Sequence, residues 1–135
     1  MTAGEGPPER VLAVWCPGWP GAGQQVHRAP EFGQVVSVVE GFCPRVEVLR
    51  PGACAIGVRG PARYFGGEGA LAAKIIDAVA GGGIACRVGI ADGFFAACLA
   101  AEHPPPTEPP VSPAHPGAAT LVAPGRARAF LAPFP

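Results

Sequence analysis

Net charge is the first thing this chain lacks: ten basic and ten acidic residues cancel over 135 positions. Composition therefore supplies no general attraction to a polyanion such as DNA, and any role on nucleic acid has to rest on local patches or on partners. Long apolar runs are lacking too. No stretch approaches the roughly 20 consecutive apolar residues of a membrane-spanning helix, and no basic start with an apolar run opens the chain. The expectation is a protein without a membrane partner, located in the cytoplasm. CxxC pairs are also missing. The five cysteines, Cys16, Cys43, Cys54, Cys86 and Cys98, are odd in number, which argues against a disulfide scaffold and against a zinc site. They are expected to be reduced, buried small hydrophobes.

The length suits one domain with an apolar core plus a tail. Glycine and proline are abundant but concentrate near residues 1–8, 17–30 and 104–125, leaving unbroken apolar segments between them. Residues 1–9 read as a leader without structure of its own. The run Val11-Leu12-Ala13-Val14-Trp15 shows no alternation, the pattern of a central strand buried on both faces. Phe32, Val35, Val36 and Val39 fall at helical spacing after Pro30 and predict a helix over 30–41. Two strand-like runs, 46–49 and 53–58, flank Arg50-Pro51-Gly52 and predict an antiparallel hairpin. Leu71, Ala72, Ile75, Ile76 and Val79 predict a second helix, stopped at Gly81-Gly82-Gly83. Over 84–91 the alternation puts Cys86, Val88 and Ile90 on one face and Ala85, Arg87 and Gly89 on the other, a half-covered strand. Asp92 is then a candidate cap for a helix carrying Phe95, Cys98 and Leu99.

The order β-α-β-β-α-β predicts an α/β (α+β) ferredoxin-like domain, a four-stranded antiparallel sheet with helices on one face. The proline-rich stretch 103–117 reads as an extended linker. Beyond it, 119–122 is a candidate edge strand and 126–131 a short helix.

Three segments, in this order, resemble the palm of Y-family DNA polymerases, and more closely the ImuB-type branch of bacterial mutagenesis proteins. Val11-Leu12-Ala13-Val14-Trp15-Cys16-Pro17-Gly18-Trp19-Pro20 is similar to the opening strand, where active members carry Asp-x-Asp-x-Phe. Val46-Glu47-Val48-Leu49-Arg50-Pro51-Gly52-Ala53-Cys54-Ala55-Ile56 resembles the strand pair that bears Ser-x-Asp-Glu. Residues 86–97 are similar to the Gly-Ile-Ala-x-Asn-Lys segment, with Ala62-Arg63-Tyr64-Phe65-Gly66-Gly67 and Phe130-Leu131-Ala132-Pro133 as supporting matches. The resemblance implies a palm over 10–102 lacking a full fingers insertion, since only residues 21–29 fill that interval. It also implies that 118–135 is the start of a shortened thumb.

The departures from the family pattern carry the functional expectation. Nucleotidyl transfer needs carboxylates to hold two magnesium ions over the attacking and leaving oxygens. On this chain the four carboxylate positions fall on Trp15, Pro17, Gly52 and Ala53, and the motif lysine falls on Phe94. None of the four side chains ligates a hard cation, so the expectation is a pseudo-polymerase with no cofactor. The resemblance implies an adaptor in DNA-damage-induced (SOS) mutagenesis and translesion synthesis, with a DnaE-class error-prone polymerase, an ImuA-type protein and the sliding clamp as partners, and DNA bound weakly or indirectly.

Arg59, Arg63, Lys74 and Arg87 are the candidate phosphate-binding face, set against scattered surface charge. Gly66-Gly67-Glu68-Gly69 lacks the spacing of dinucleotide or Walker signatures and reads first as a turn and helix entry. Tyr64, Phe65, Trp15 and Trp19 are stacking or core residues. His27, His103 and His115 sit in predicted loops without ligand partners. Two other readings stay open: an active translesion polymerase, magnesium-dependent, with Glu47, Asp77 or Asp92 as ligands, and a ferredoxin-like interaction domain unrelated to DNA.

Overall fold

The structure, a computed structural model, describes residues 9–17, 29–50, 52–103 and 118–131. Apart from Glu9 and His103, the expected leader and linker lie outside the described residues, as do Trp19, His27 and His115. The elements in chain order are β1 (Arg10–Trp15), α1 (Ala29–Glu40), β2 (Glu47–Arg50), β3 (Ala53–Gly57), α2 (Arg59–Phe65), α3 (Glu68–Gly81), β4 (Arg87–Asp92), α4 (Phe94–Glu102), β5 (Ala119–Leu121) and α5 (Ala127–Leu131).

The five strands form one mixed sheet in the order β2-β3-β1-β4-β5. The first three pairings are antiparallel, while β5 joins β4 in parallel, Gly89 opposite Thr120. The four-stranded antiparallel expectation is therefore corrected to a five-stranded sheet. β1 lies third of five, and Val11 to Val14 are at most 2% exposed, as the unalternating apolar run implied.

Helices cover both faces, not one. On one face Leu12, Val14, Ile56, Val88 and Ile90 pack against Phe32, Val35 and Val39 of α1 and Leu71, Ile75, Ile76 and Val79 of α3. On the other, Val11, Ala13, Ala55 and Ala91 meet Ala96, Ala97 and Ala100 of α4, with Phe130 and Leu131 of α5 at its margin. β4 is accordingly buried on both sides, and its expected half-covered face is closed by α4.

The helix expected to dock through Phe95, Cys98 and Leu99 docks instead through its alanines, leaving Phe95 67% and Phe94 43% exposed. The cause is Gly89. A Cβ there would overlap the Ala97 carbonyl oxygen and the Ala101 nitrogen and come within 2.8 Å of the Ala100 Cβ. A helix that close to a sheet admits only small side chains at the contact.

α2 has no counterpart in the apolar periodicity, because none of its residues is buried. Gly66 ends it in the left-handed region, φ 99°, and donates its N–H to the Ala62 carbonyl, a conformation that costs glycine little.

Asp92 does not cap α4. Gly93 occupies that position without a side-chain bond, and Asp92 instead accepts from Arg10 Nη1 at 3.1 Å and from the Gly125 N–H at 2.9 Å. Arg10 also reaches Glu68 at the start of α3, with Nη2 to Oε1 at 2.6 Å, and donates to the Val122 carbonyl at 2.8 Å. One guanidinium thus ties β1, α3, β4 and the segment after β5 together at a single end of the sheet.

Candidate functional site

β1 ends at Trp15, and its register decides what surrounds that residue. Trp15 lies directly opposite Ala53 on β3 and directly opposite Arg87 on β4. Cys16 continues the strand by donating its N–H to the Gly52 carbonyl at 2.9 Å. Trp15, Ala53 and Arg87 belong to the alternation that includes Val11, Ala13, Ala55 and Ala91, so they lie on the face covered by α4. The helix runs back along that face until Glu102 pairs with Arg50 at 2.6 Å, and Arg50 itself stands opposite Ala53.

The four positions singled out in the sequence thus fall at one end of the sheet: Trp15 and Ala53 as a cross-strand pair, with Pro17 and Gly52 next to them. Ala53 and Gly52 are buried, Trp15 is partly buried and Pro17 is exposed. The Arg87 guanidinium carbon lies 5.7 Å from the Trp15 ring centroid, within cation–π range. What meets here is an indole, a methyl group, an imino ring and a guanidinium. Among the described residues these four side chains offer no hard oxygen ligand to a divalent cation.

Glu47, Asp77 and Asp92, the alternative magnesium ligands, are on separate parts of the fold. Glu47 is exposed on β2 opposite Ala55, and Asp92 is at the far end of β4, five residues along the strand from Arg87 and so roughly 17 Å from the Trp15 pair, already engaged by Arg10 and Gly125. Asp77 is exposed on α3, whose buried residues pack on the opposite face. Among the described residues no group of three or more His, Cys, Asp or Glu side chains is arranged to hold a metal ion, and no helix is long and apolar enough to cross a membrane.

The candidate basic residues divide. Arg59 and Arg63, four apart on α2, are both exposed, and Lys74 is exposed on α3, which packs against α2. Arg87 stands apart from them. α2 follows β3 where Gly57 pairs with Val11 at the start of β1, whereas Arg87 pairs with Trp15 at its end and on the other face. The structure therefore separates the Arg87–Trp15 pair from the exposed Arg59, Arg63 and Lys74 of α2 and α3.

Two arrangements had no sequence signal. The Arg10 cluster joins residues 58 and 82 positions apart, and no spacing rule links them. Cys16, Cys54 and Cys86 gather behind Trp15 on the α1/α3 face, at 2%, 0% and 7% exposure. Burial pushes the Cys16 thiol up to about 11 and those of Cys54 and Cys86 up to about 12, the neighbouring thiols adding to the effect for the last two. Compared with protein-family models, with curated proteins and with solved structures, the chain matches none.

Proposed function

We propose that the chain is a non-catalytic, ImuB-type relative of the Y-family polymerase palm that serves as an adaptor in DNA-damage-induced mutagenesis. The order β2-β3-β1-β4, antiparallel throughout, fits a ferredoxin-like βαββαβ core to which β5 is added at the edge. The observation that carries the reading is the pairing of Trp15 with Ala53 beside Arg87. In an active palm the corresponding spot holds the carboxylates that anchor two magnesium ions. Here a cation, Arg87, lies over the indole in their place, and it would repel a metal rather than bind one.

Without metal ligands the useful property of such a domain is its surface, and the chemistry belongs to a partner: a DnaE-class error-prone polymerase, assembled with the sliding clamp and an ImuA-type protein. DNA contact in this reading is weak, through Arg59, Arg63 and Lys74 on the α2/α3 side and, separately, Arg87.

The test has two arms. Purified protein in a primer-extension assay should show no magnesium-dependent incorporation, and titration of magnesium with a nucleoside triphosphate should be calorimetrically silent. Affinity capture from cells after DNA damage should retain the error-prone polymerase or the clamp. Incorporation abolished by substitutions within this palm would overturn the non-catalytic assignment, and capture without any replication protein would overturn the adaptor role.

A further inference from the structure

The groove between the end of α1 and α2 is separate from the Trp15 site. It is a shallow, open groove of about 290 Å³, lined by Phe42, Pro44, Pro61, Tyr64 and Phe65, together with glycines and Cys43. Its aromatic floor is ordered: the Phe42 and Phe65 centroids are 5.1 Å apart, and Tyr64 meets Phe65 edge-on at 4.8 Å. Tyr64 is nevertheless 83% exposed, although its phenol ring caps the groove. Exposed Arg45 follows Pro44 directly in the chain, next to the lining, whereas Arg63 is on the side of α2 turned away from Gly60, Pro61, Tyr64 and Phe65.

An apolar groove walled by rings, with an exposed arginine next to it, is the kind of surface that takes an extended proline-rich strand carrying an acidic residue. Such a peptide is pre-organised as polyproline II and loses little entropy on docking. This chain contains one. Residues 104–116 include seven prolines and the single acid Glu108. We propose that the groove binds the 104–116 segment of a second copy of the chain, with Glu108 toward Arg45.

The choice of a second copy follows from the topology. The segment leaves α4 beside Arg50, which stands opposite Ala53, and returns at Ala118, whose carbonyl accepts from the Val88 N–H. Both anchors are therefore at the Trp15 end of the sheet. The groove is at the other end, where α2 follows Gly57, the partner of Val11. A strand of six residues spans about 20 Å, so a round trip within one molecule uses about 40 Å. Fourteen residues in polyproline II geometry reach about 43 Å. Almost nothing would be left to lie in the groove or to pass around the helical layer, whereas a neighbouring copy meets no such constraint.

The experiment uses the full chain and a fluorescein-labelled peptide of residues 103–117, followed by anisotropy, with sedimentation velocity over a concentration series. The peptide should bind, and the chain should self-associate reversibly. Tyr64→Ala, at a largely exposed position and with an unchanged urea midpoint as the control for folding, should weaken both by at least tenfold. Glu108→Lys in the full chain should weaken self-association at least threefold, and Arg45→Glu added to it should restore most of the loss. The proposal is overturned by absence of peptide binding at millimolar protein or by binding indifferent to Tyr64→Ala. It is equally overturned if only an unrelated proline-rich peptide binds, or if oligo-dT displaces the peptide from Tyr64, which would make the groove a nucleic-acid surface.

Discussion

Gly89 of β4 lies directly beneath the Ala97 carbonyl of α4, so close that the sheet and the helix backbone leave no room for a single added methyl group. This relationship sets the position of α4, and through it of α5 and of the cover over the outer sheet face. Gly89→Ala must push the helix away or break its contact with Ala13 and Ala91. Overpacking of this kind costs about 1–3 kcal/mol, more where backbone rather than a flexible side chain is the obstacle. We expect Gly89→Ala to fall at or above that range in urea denaturation. An unfolding midpoint equal to that of the parent would show that α4 is not seated as described.

The Arg10 cluster makes stability depend on acid. The Asp92 carboxyl is held below the usual carboxylate range, first by the Gly125 N–H and then, against the opposing effect of burial, by Arg10. Its folded pKa is depressed, so the associated stability is present above the unfolded value of about 3.9 and is lost as pH falls through the folded pKa. Asp92→Asn should therefore lower stability at pH 7 and flatten the acid limb of the stability profile, with parent and variant converging at low pH. Arg10→Met should cost on the order of 2 kcal/mol at pH 7, since it leaves two carboxylates, at 28% and 8% exposure, without their cation. Parallel pH profiles for parent and Asp92→Asn would rule this account out.

How far these features can be read from the sequence depends on the kind of interaction involved. The central burial of β1 and the packing faces of α1 and α3 are written in local periodicity, as with Val35 and Val39 or Ile75 and Val79. α4 is apolar all round, so periodicity cannot choose its face. That choice was made by Gly89, whose close approach to Ala97, Ala100 and Ala101 is visible only once the helix is laid across the strand. β5 is a three-residue strand after a proline-rich stretch, and its parallel pairing rests on a long-range contact. At the candidate site, the identities of Trp15, Pro17, Gly52 and Ala53 were legible, but the cross-strand position of Arg87 beside Trp15 is a matter of register, which residue types alone do not fix.

Thiol chemistry gives an independent check on the core. Cys16, Cys54 and Cys86 are buried and their thiols are raised to about 11, about 12 and about 12. At pH 8 about one part in a thousand or less of each is thiolate, and the reactive species is the thiolate. Cys43 and Cys98 are partly exposed. Ellman's reagent at pH 8 should therefore modify at most two thiols per native chain quickly, and all five only after denaturation in urea. Rapid modification of three or more in the native state would contradict the packing of α1 and α3 over the strands.

Thr120 supplies the last prediction, and its sign is the informative part. It sits on β5 opposite Gly89, is 2% exposed, and its Oγ1 has no hydrogen-bond partner among the described residues. A buried hydroxyl without a partner forfeits its hydration for nothing in return, at about 1–3 kcal/mol. Valine has the same branched shape without the polar atom, so Thr120→Val should raise stability by about 1 kcal/mol and the Tm by roughly 3–6 °C. Thr120→Ser keeps the hydroxyl and removes a packed methyl, and should lower both. The pair separates the two contributions: if valine destabilises as serine does, the hydroxyl has a partner after all and the edge of the sheet at β5 is bonded differently from the arrangement described.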